Sequence, residues 1–393
     1  MSWPVNIVLP AEAVPKIKWK RWAFSLLILF FIMAFFFWFL KTNPTFKNGN
    51  ALMVMLPFLL ITAGGYLICF SIRIYYHGMC LSAYDAYEQE SESLRKVWTE
   101  WASQKVFIPA SHFFLPSEVS SVDILAGDPV DVFSGQSLKL RGHDGDEYTE
   151  EQLLYELLSS VRKKLKELSA ICMFDVIFTH RENHYSFALF KECWLSMGLA
   201  ERCLGEHSFV LNDYEDVFER CLCSEENKVF IVLSINIEST NPLSLSDTEF
   251  ASIILVSPQC EFINENKSCI VLRPMQCEKK NIKEKFTHMQ TYQPEISSTS
   301  RVLFSGMDVN EIVTITDVFR NTTKSAKVKW EYEGKDLNLL LGQLGGDHYW
   351  LVLALSFHFS NAAKGSVLMI NDQGDDYILN VITSFDNNRE STK

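Results

Sequence analysis

The sequence predicts an α/β protein in which an N-terminal transmembrane helical hairpin precedes a layered α/β domain. The hairpin is predicted from two long apolar runs without a charged residue, which lie near the N-terminus on either side of a short polar hinge. The layered domain is predicted because strand-like and helix-like patterns alternate from about residue 170 to about residue 385.

The first apolar run extends from Trp22 to Leu40 and the second from Ala51 to Ile72. At about 1.5 Å per residue, roughly 19 helical residues cover a hydrocarbon core of about 30 Å. A cleaved signal peptide is the main alternative for the first run. That run, however, is longer than a signal core of about 7–15 residues, and no small-x-small cleavage site follows it. A buried helical pair in a soluble core is a second alternative, which the apolar content on every helix face disfavours. We therefore expect a retained hairpin in contact with the lipid bilayer.

The distribution of cations predicts the orientation of this hairpin. Four lysine and arginine residues lie between positions 16 and 21, directly before the first run, whereas the hinge at 41–50 carries two. Loops with more lysine and arginine stay in the cytoplasm, so we expect a cytoplasmic N-terminus. Two crossings then return the chain to the cytoplasm at Arg73, which makes the C-terminus cytoplasmic as well.

Charge and cysteine content narrow the function further. The net charge of −12 argues against nucleic acid as a partner and against the soluble part lying flat on anionic lipid. The ten cysteines lack the ordered spacing of a disulfide framework, which favours reduced thiols in a cytosol. Cys221 and Cys223 form a C-x-C pair without a second pair at metal-binding distance. We therefore expect neither a metal nor a cofactor.

The predicted organisation has four parts. They are a cytoplasmic N-terminal tail at 1–21, the hairpin at 22–72, a membrane-proximal helix at 73–103 and a cytoplasmic α/β domain at 104–393. The membrane-proximal helix is predicted from aromatic and apolar residues at helical spacing, among them Tyr84, Tyr87, Leu94 and Trp98. The α/β domain is long enough for two similar halves, with a boundary in the hydrophilic stretch near 278–300.

Within this domain, short β-like runs occur first, at KVFIPA, SVDIL and PVDVF. The clearest soluble helix follows, because Thr149 and Gln152 fit a capping box and leucines from Leu153 to Leu168 form one apolar face. Further strands are predicted at residues 172–178, 229–235, 250–256, 268–273, 311–317, 365–371 and 377–383. The last two are expected to pair as a hairpin, and helices are predicted at 186–198 and 337–361.

Two stretches resemble thiolase-like and β-ketoacyl synthase-like proteins. Residues 249–256 (EFASIILV) resemble the acidic-small-small entrance of a strand in these proteins. Residues 341–355 (LGQLGGDHYWLVLAL), followed by 365–371 (GSVLMIN) and a closing strand, are similar to the C-terminal half of that fold. In that half a glycine-rich loop opens a buried helix and two strands finish the sheet. The resemblance extends over about residues 170–385 and implies a thiolase-like soluble domain.

The same resemblance implies what an active site would require. Condensing enzymes need a cysteine nucleophile at a strand-to-helix elbow, together with histidine or asparagine side chains that polarise a thioester carbonyl. Cys172 precedes a predicted strand and Cys193 lies within a predicted helix, so neither stands at such an elbow. His348, near the glycine-rich loop, is the single candidate catalytic residue, and a helix-start or core histidine is the competing interpretation. His180 and His184 lie in a predicted loop without a third metal ligand.

No G-x-S-x-G, Walker, Rossmann or H-E-x-x-H motif occurs in the sequence, which makes catalysis less favoured. Two hypotheses for the function remain. The favoured one is a non-catalytic adaptor or scaffold that the hairpin holds at the cytoplasmic face, where it recruits a protein partner. Membrane-anchored proteins of this make-up resemble accessory or effector-loading proteins of bacterial type VI secretion clusters, which implies the bacterial inner membrane. The alternative is a membrane-associated acyl-thioester enzyme of the condensing type with an atypical active site. An immunity protein against a membrane-acting toxin fits the hairpin, but it would place its mass in the periplasm.

Overall fold

The computed structural model describes Trp3 and residues 11–42, 50–126, 131–142, 145–179, 186–211, 213–224, 227–237, 247–259, 268–325, 332–345 and 348–385. The chain falls into two units. One comprises residues 7–97, and the other comprises residues 1–6 together with residues 98–393.

The first unit contains helix α1 (Trp19–Thr42) and most of helix α2 (Asn50–Ala102). Both are long and apolar enough to cross a membrane, over Trp19–Phe39 and within Leu56–Ala102. Their apolar side chains point outward, and Phe24, Phe30 and Leu60 each expose more than half of their surface. A surface of this kind matches hydrocarbon better than water, so the two helices are candidate membrane spans.

The second apolar run and the membrane-proximal helix expected at 73–103 lie in one helix. Helix α2 runs without interruption through 53 residues, although Pro57 lies inside it. The change at Arg73 is one of polarity alone, because no pair of helix-breaking residues follows it and a helix propagates more easily than it restarts. The helix predicted at 73–103 is therefore the continuation of the second apolar run.

The second unit is built on one sheet with eleven described strands. These strands are β1 (Lys105–Phe114), β2 (Met173–Phe178), β3 (Leu204–Phe209), β4 (Lys228–Asn236), β5 (Phe250–Ser257), β6 (Cys269–Leu272), β7 (Met275–Glu278), β8 (Thr299–Ser305), β9 (Glu333–Asp336), β10 (Ser366–Gln373) and β11 (Asp376–Ser384). The helices are α3 (Ser121–Ala126), α4 (Glu150–Leu168), α5 (Ser186–Ser196), α6 (Tyr214–Leu222), α7 (Ile282–Tyr292), α8 (Val309–Ser325), α9 (Leu337–Leu341) and α10 (Tyr349–Ala363). The predicted mixed α/β class is confirmed.

The sheet is a duplication. In the first half the order is β3-β2-β4-β5-β1, and in the second it is β9-β8-β10-β11-β6, with β7 also paired to β11. In both halves the first three strands of this order are parallel, and the fourth is antiparallel to its two neighbours. The halves join where β1 pairs antiparallel with β6, with Lys105 opposite Leu272. The second half therefore starts at Cys269, upstream of the expected boundary near 278–300.

Helices cover both faces of this sheet. Helices α4 and α5 pack on one face of the first half, and α7 and α8 pack on one face of the second. Helices α6 and α10 share an apolar cluster with strands of both halves. Helix α10 contacts β1 and β5 as well as β10 and β11, so it lies at the centre of this unit.

Local sequence signals predicted many of these elements. The capping box of α4 is present, since the Gln152 amide donates to the Thr149 hydroxyl at 3.3 Å and the Thr149 amide donates to the Gln152 side chain at 3.0 Å. The strands predicted at 172–178, 229–235, 250–256 and 268–273 correspond to β2, β4, β5 and β6. The predicted pairing of β10 with β11 is also confirmed, with Asn371 opposite Ile378.

Four predictions of secondary structure are wrong, and one of them is PVDVF, whose described residues 131–133 are not in a strand. Residues 311–317 lie in α8 and not in a strand, because Ile315 and Phe319 are buried four residues apart while Asp308 and Glu311 cap the helix reciprocally. The helix expected at 337–361 is divided into α9 and α10 at Gly342, whose φ of 80° is outside the helical region. SVDIL, expected to be β-like, lies in α3.

Candidate functional site

The candidate site lies where the two central helices begin. Helix α6 follows β3, and α10 occupies the corresponding position in the second half. The first residue of each helix is a tyrosine, and the rings of Tyr214 and Tyr349 stack with centroids 4.5 Å apart and an interplanar angle of 29°. The duplication thus brings two helix N-termini together, and aromatic rings fill the space between them.

Burial keeps both phenols protonated. The pKa of Tyr214 is raised, first by burial and then by the neighbouring Tyr349 ring. Burial likewise raises the pKa of Tyr349, whose hydroxyl accepts a hydrogen bond from the side-chain amide of Asn380 at 3.0 Å. Neither phenol is therefore available as a base or as a nucleophile near neutral pH.

A strand-to-helix elbow lies directly before α6. The sequence from β3 into the helix is Val210-Leu-Asn-Asp-Tyr214, without a cysteine or serine. Asp213 caps the helix, because its carboxylate accepts a hydrogen bond from the Asp216 amide at 2.9 Å. This elbow therefore starts a helix in the ordinary way, and the first residue of that helix is the aromatic Tyr214.

The two predicted cysteine placements are confirmed. Cys172 directly precedes β2 and Cys193 lies inside α5, and burial raises the pKa of both thiols. Burial also raises the pKa of Cys269 and that of Cys277 to about 12. A thiol must ionise to attack a thioester, so burial at these four positions works against catalysis.

His348 is the residue directly before Tyr349 and only 2% of it is exposed. Its Nδ1 contacts the carbonyl oxygen of Gly345, and its Nε2 has no hydrogen-bond partner among the described residues. Burial lowers its pKa, although the Gly345 carbonyl and Asp372 act in the opposite direction. The imidazole is therefore neutral near pH 7.

The surroundings of His348 depend on Gly306, which has a φ of 74°. A Cβ at this position would lie 3.0 Å from Cε1 of His348 and 3.2 Å from Cβ of Asp372. The loop after β8 and the strand β10 thus approach the imidazole closely. His348 lies at a helix start within the core, as the competing interpretation expected.

Asp372 links His348 to a second polar group of residues. The Lys279 ammonium lies 2.7 Å from a carboxylate oxygen of Glu311 and 2.7 Å from one of Asp372. The Tyr377 hydroxyl donates to Glu311 at 3.2 Å. Burial opposes ionisation of Glu311, but hydrogen bonds from Lys279 and the Asp308 amide hold its pKa below the ordinary value. One cation thus pairs with two carboxylates, as in a structural ion-pair network.

Sequence reasoning missed the tyrosine pair and the Lys279 network for different reasons. The start of α6 has a recognisable sequence pattern. A capping residue, Asp213, precedes residues at helical spacing that are buried in the structure, namely Tyr214, Val217, Phe218 and Cys221. The partners in the Lys279 network come from three distant parts of the chain, and no local pattern connects them.

The residues weighed for metal binding do not form a site in the described part of the chain. Cys221 is buried in α6, whereas Cys223 is exposed just beyond it. Among the described residues no group of three histidine, cysteine, aspartate or glutamate side chains could hold a metal ion. His180 and His184 lie outside the described residues.

Comparison with known proteins gives matches among solved structures. No family model and no curated protein matches the sequence. Among solved structures, a variant of OleA from Xanthomonas campestris bound to cerulenin is similar, with a TM-score of 0.49 and 10% identity over 73% of this chain and 98% of that one.

Two further solved structures are similar. The 3-oxoacyl-[acyl-carrier-protein] synthase III of Aquifex aeolicus VF5 has a TM-score of 0.46 and 11% identity over 71% of this chain and 99% of that one. The tetronic acid condensing enzyme AbyA1 has a TM-score of 0.45 and 8% identity over 70% of this chain and 98% of that one. The chain is thus a mixed α/β protein whose structural neighbours are thiolase-like condensing enzymes. Likeness at this level carries no argument about its activity.

Proposed function

We propose that the chain is a membrane-anchored, non-catalytic adaptor that recruits a protein partner. The observation that carries the proposal is the elbow before α6, where Tyr214 packs against Tyr349 instead of presenting a nucleophile. A fold of this kind that carries no nucleophile at this elbow still offers a rigid scaffold for binding.

The position of the adaptor follows from the hairpin. Helices α1 and α2 cross the bilayer, and the four cations at 16–21 keep the N-terminus in the cytoplasm. The body of the protein then also faces the cytoplasm. The cysteines of the described residues are free thiols, which suits a reducing compartment.

The resemblance in general make-up to accessory proteins of type VI secretion clusters suggests the first partner to test. The adaptor would sit in the bacterial inner membrane and present an effector protein for loading. Affinity capture of the full chain from detergent-solubilised membranes, followed by mass spectrometry, tests this proposal. We expect an effector protein to co-purify with the chain. If no effector co-purifies from cells that express a type VI secretion cluster, the proposed role in effector loading is contradicted.

One observation favours a condensing-type enzyme as the second candidate. His348 is buried beside Asp372 and keeps Nε2 without a partner among the described residues, as a residue that polarises a carbonyl would. Such an enzyme would need a cysteine within reach of this imidazole, and the elbow before α6 does not supply one.

Covalent labelling separates the two candidates. The full chain in membranes is incubated with an alkyne-tagged octanoyl-coenzyme A, and its cysteines are searched for acyl adducts. An adaptor gives no specific adduct, whereas an enzyme gives one that disappears when a single cysteine is changed to alanine. Iodoacetamide modification of the exposed Cys223 is the control for reduced, reactive thiols, and labelling that is lost in Cys223→Ala alone counts as non-specific.

Protease protection tests the orientation separately. In spheroplasts treated with protease from outside, we expect the part of the chain after residue 97 to survive. Its digestion would place the body in the periplasm and contradict the cytoplasmic assignment.

A further inference from the structure

The first unit contains an apolar groove between α1 and α2 that its own side chains do not fill. The groove has a volume of about 620 Å³. Its lining includes Ala23, Phe30, Met33, Ala63, Tyr66 and Leu67. All lining residues belong to the unit at 7–97, so the groove is a property of the hairpin itself.

The polar side chains in the lining are already satisfied within the hairpin. The Tyr66 hydroxyl donates to the carbonyl of Trp22 at 2.7 Å, and the Thr62 hydroxyl donates to the carbonyl of Phe58. An occupant therefore gains no hydrogen bond from either side chain. Within the membrane such a groove holds something apolar, because water would lose its hydrogen bonds there.

The length of the groove distinguishes between apolar occupants. On α1 its lining runs from Ala23 to Met33. Ten helical steps correspond to about 15 Å, half of a hydrocarbon core of about 30 Å. A transmembrane helix of a partner would pack along both leaflets, whereas a lipid acyl chain ends at the midplane. The groove therefore has the length of one acyl chain in one leaflet.

Aromatic rings lie at the end of the groove that is formed by the start of α1. The Trp19 and Trp22 rings lie 5.8 Å and 5.2 Å from the ring of Phe70. Tryptophan is enriched where a membrane protein crosses from hydrocarbon to headgroups. This end of the groove is thus at headgroup level.

The charges at this level are almost all positive. Lys18, Lys20 and Arg21 are exposed at the start of α1, and Arg73 lies one turn beyond Phe70 on α2. In the described stretches 11–42 and 50–84, Glu12 is the only acidic residue. A lipid in the groove would therefore place its headgroup among cations, which favours an anionic headgroup.

We propose that the groove binds one anionic phospholipid, with an acyl chain between α1 and α2 and the phosphate among the cations at their cytoplasmic ends. This inference rests on the membrane anchorage put forward under the proposed function. The lipid completes the packing of a hairpin whose two helices leave a gap. The negative charge of the rest of the chain is no obstacle, because the cations are concentrated at this one level.

Native mass spectrometry of the detergent-solubilised full chain tests the proposal with dioleoylphosphatidylglycerol as the probe. Ala63→Phe fills the groove and is expected to weaken lipid binding about tenfold. Ala34→Phe is the matched control, since Ala34 is exposed on α1 and does not line the groove, and it should bind as the wild type does. Equal binding by Ala63→Phe and the wild type would overturn the proposal.

The headgroup is tested with charge variants. The double change Lys20→Gln and Arg21→Gln is expected to weaken phosphatidylglycerol binding by about tenfold or more. Lys41→Gln, at the other end of α1, should have no effect. Dioleoylphosphatidylcholine should bind more weakly than phosphatidylglycerol to the wild type, and equal binding of the two lipids would overturn the proposal.

Alkaline carbonate extraction of the same membranes separates this inference from the one on which it rests. Release of the protein would contradict membrane anchorage. A protein that stays in the membrane and fails the lipid tests overturns only the lipid site.

Discussion

Helices α6 and α10 occupy the same position in the two halves of the sheet, yet they are used differently. Helix α6 is capped by the side chain of Asp213 and carries an exposed polar face. Helix α10 is longer, follows His348 without a side-chain cap, and is buried on nearly every face between strands of both halves. The helix of the second half is thus the centre of the core, whereas the corresponding helix of the first half has an amphipathic surface. The central copy therefore controls stability more than the other does.

The largest expected effect comes from removing core volume at this central copy. Leu355 in α10 is fully buried, whereas Leu222 at the end of α6 is partly buried. Leu355→Ala is expected to lower the free energy of unfolding by about 2–5 kcal/mol, since it leaves a cavity that its neighbours cannot close. Leu222→Ala should cost roughly 1 kcal/mol. Chemical unfolding of the solubilised full chain, followed by tryptophan fluorescence, measures both, and equal losses would contradict the difference between the two helices.

The second effect concerns a histidine that α10 packs against the first half. The ring of His358 lies 5.0 Å from that of Phe113, and burial, followed by the nearby His112, lowers the pKa of His358 from 6.5 to about 4. Above pH 6.5 the residue is neutral in both the folded and unfolded states. Between pH 6.5 and 4 the unfolded state binds the proton first, so stability is lost as the pH falls through this window.

The size of that loss is about 3 kcal/mol at most for a displacement of this extent. His358→Gln should flatten the decrease in melting temperature between pH 6.5 and 4.5. His207→Gln is the control, because His207 is exposed on β3. An unchanged pH dependence in His358→Gln would show that other buried groups cause the decrease.

A third and smaller effect tests the close approach to His348. Gly306 and Gly198 have similar positive φ angles of 74° and 71°, but a Cβ meets His348 and Asp372 only at Gly306, with nothing within 4 Å at Gly198. Gly198→Ala should destabilise by about 1 kcal/mol through backbone strain alone. Gly306→Ala should cost roughly 1–2 kcal/mol more, because the imidazole must move. Equal melting temperatures of the two variants would show that the neighbours of Gly306 give way freely.

The sequence predicts an element of this structure well when neighbouring residues determine that element, and poorly when distant residues do. Patterns of neighbouring residues predict the apolar hairpin, the capping box at Thr149 and the β10–β11 hairpin. All three are present in the structure. Residues 311–317 fit both a period of two and a period of 3.6, so only packing of Ile315 against the sheet decides for the helix. Pairing of β1 with both β5 and β6 depends on residues far apart in the sequence.

The candidate site shows the same limit. His348 could be singled out because a glycine-rich segment precedes it, and the structure places it at a helix start. The stacking of Tyr214 on Tyr349 needs the whole duplicated sheet between them, so no pattern along the chain reveals it. The same holds for Lys279, which meets Glu311 and Asp372 only after three elements have assembled.

The smallest effect distinguishes the two tyrosines. Tyr349→Phe loses the hydrogen bond from Asn380, and because the Asn380 amide is then left buried without its acceptor we expect a loss of about 1 kcal/mol. In Tyr214→Phe the stacked ring remains, and the change in unfolding free energy should stay below about 0.5 kcal/mol.

The same two variants also test whether the phenol groups take part in binding a partner. Each keeps an aromatic ring at the start of its helix, so each should leave thioester labelling and partner capture as in the wild type if the rings only fill space. If Tyr349→Phe abolished partner capture while its stability fell by only the expected amount, the phenol itself would belong to a binding surface. The tyrosine pair would then do more than fill the space between the two helix starts, and the two halves would differ in recognition as well as in burial.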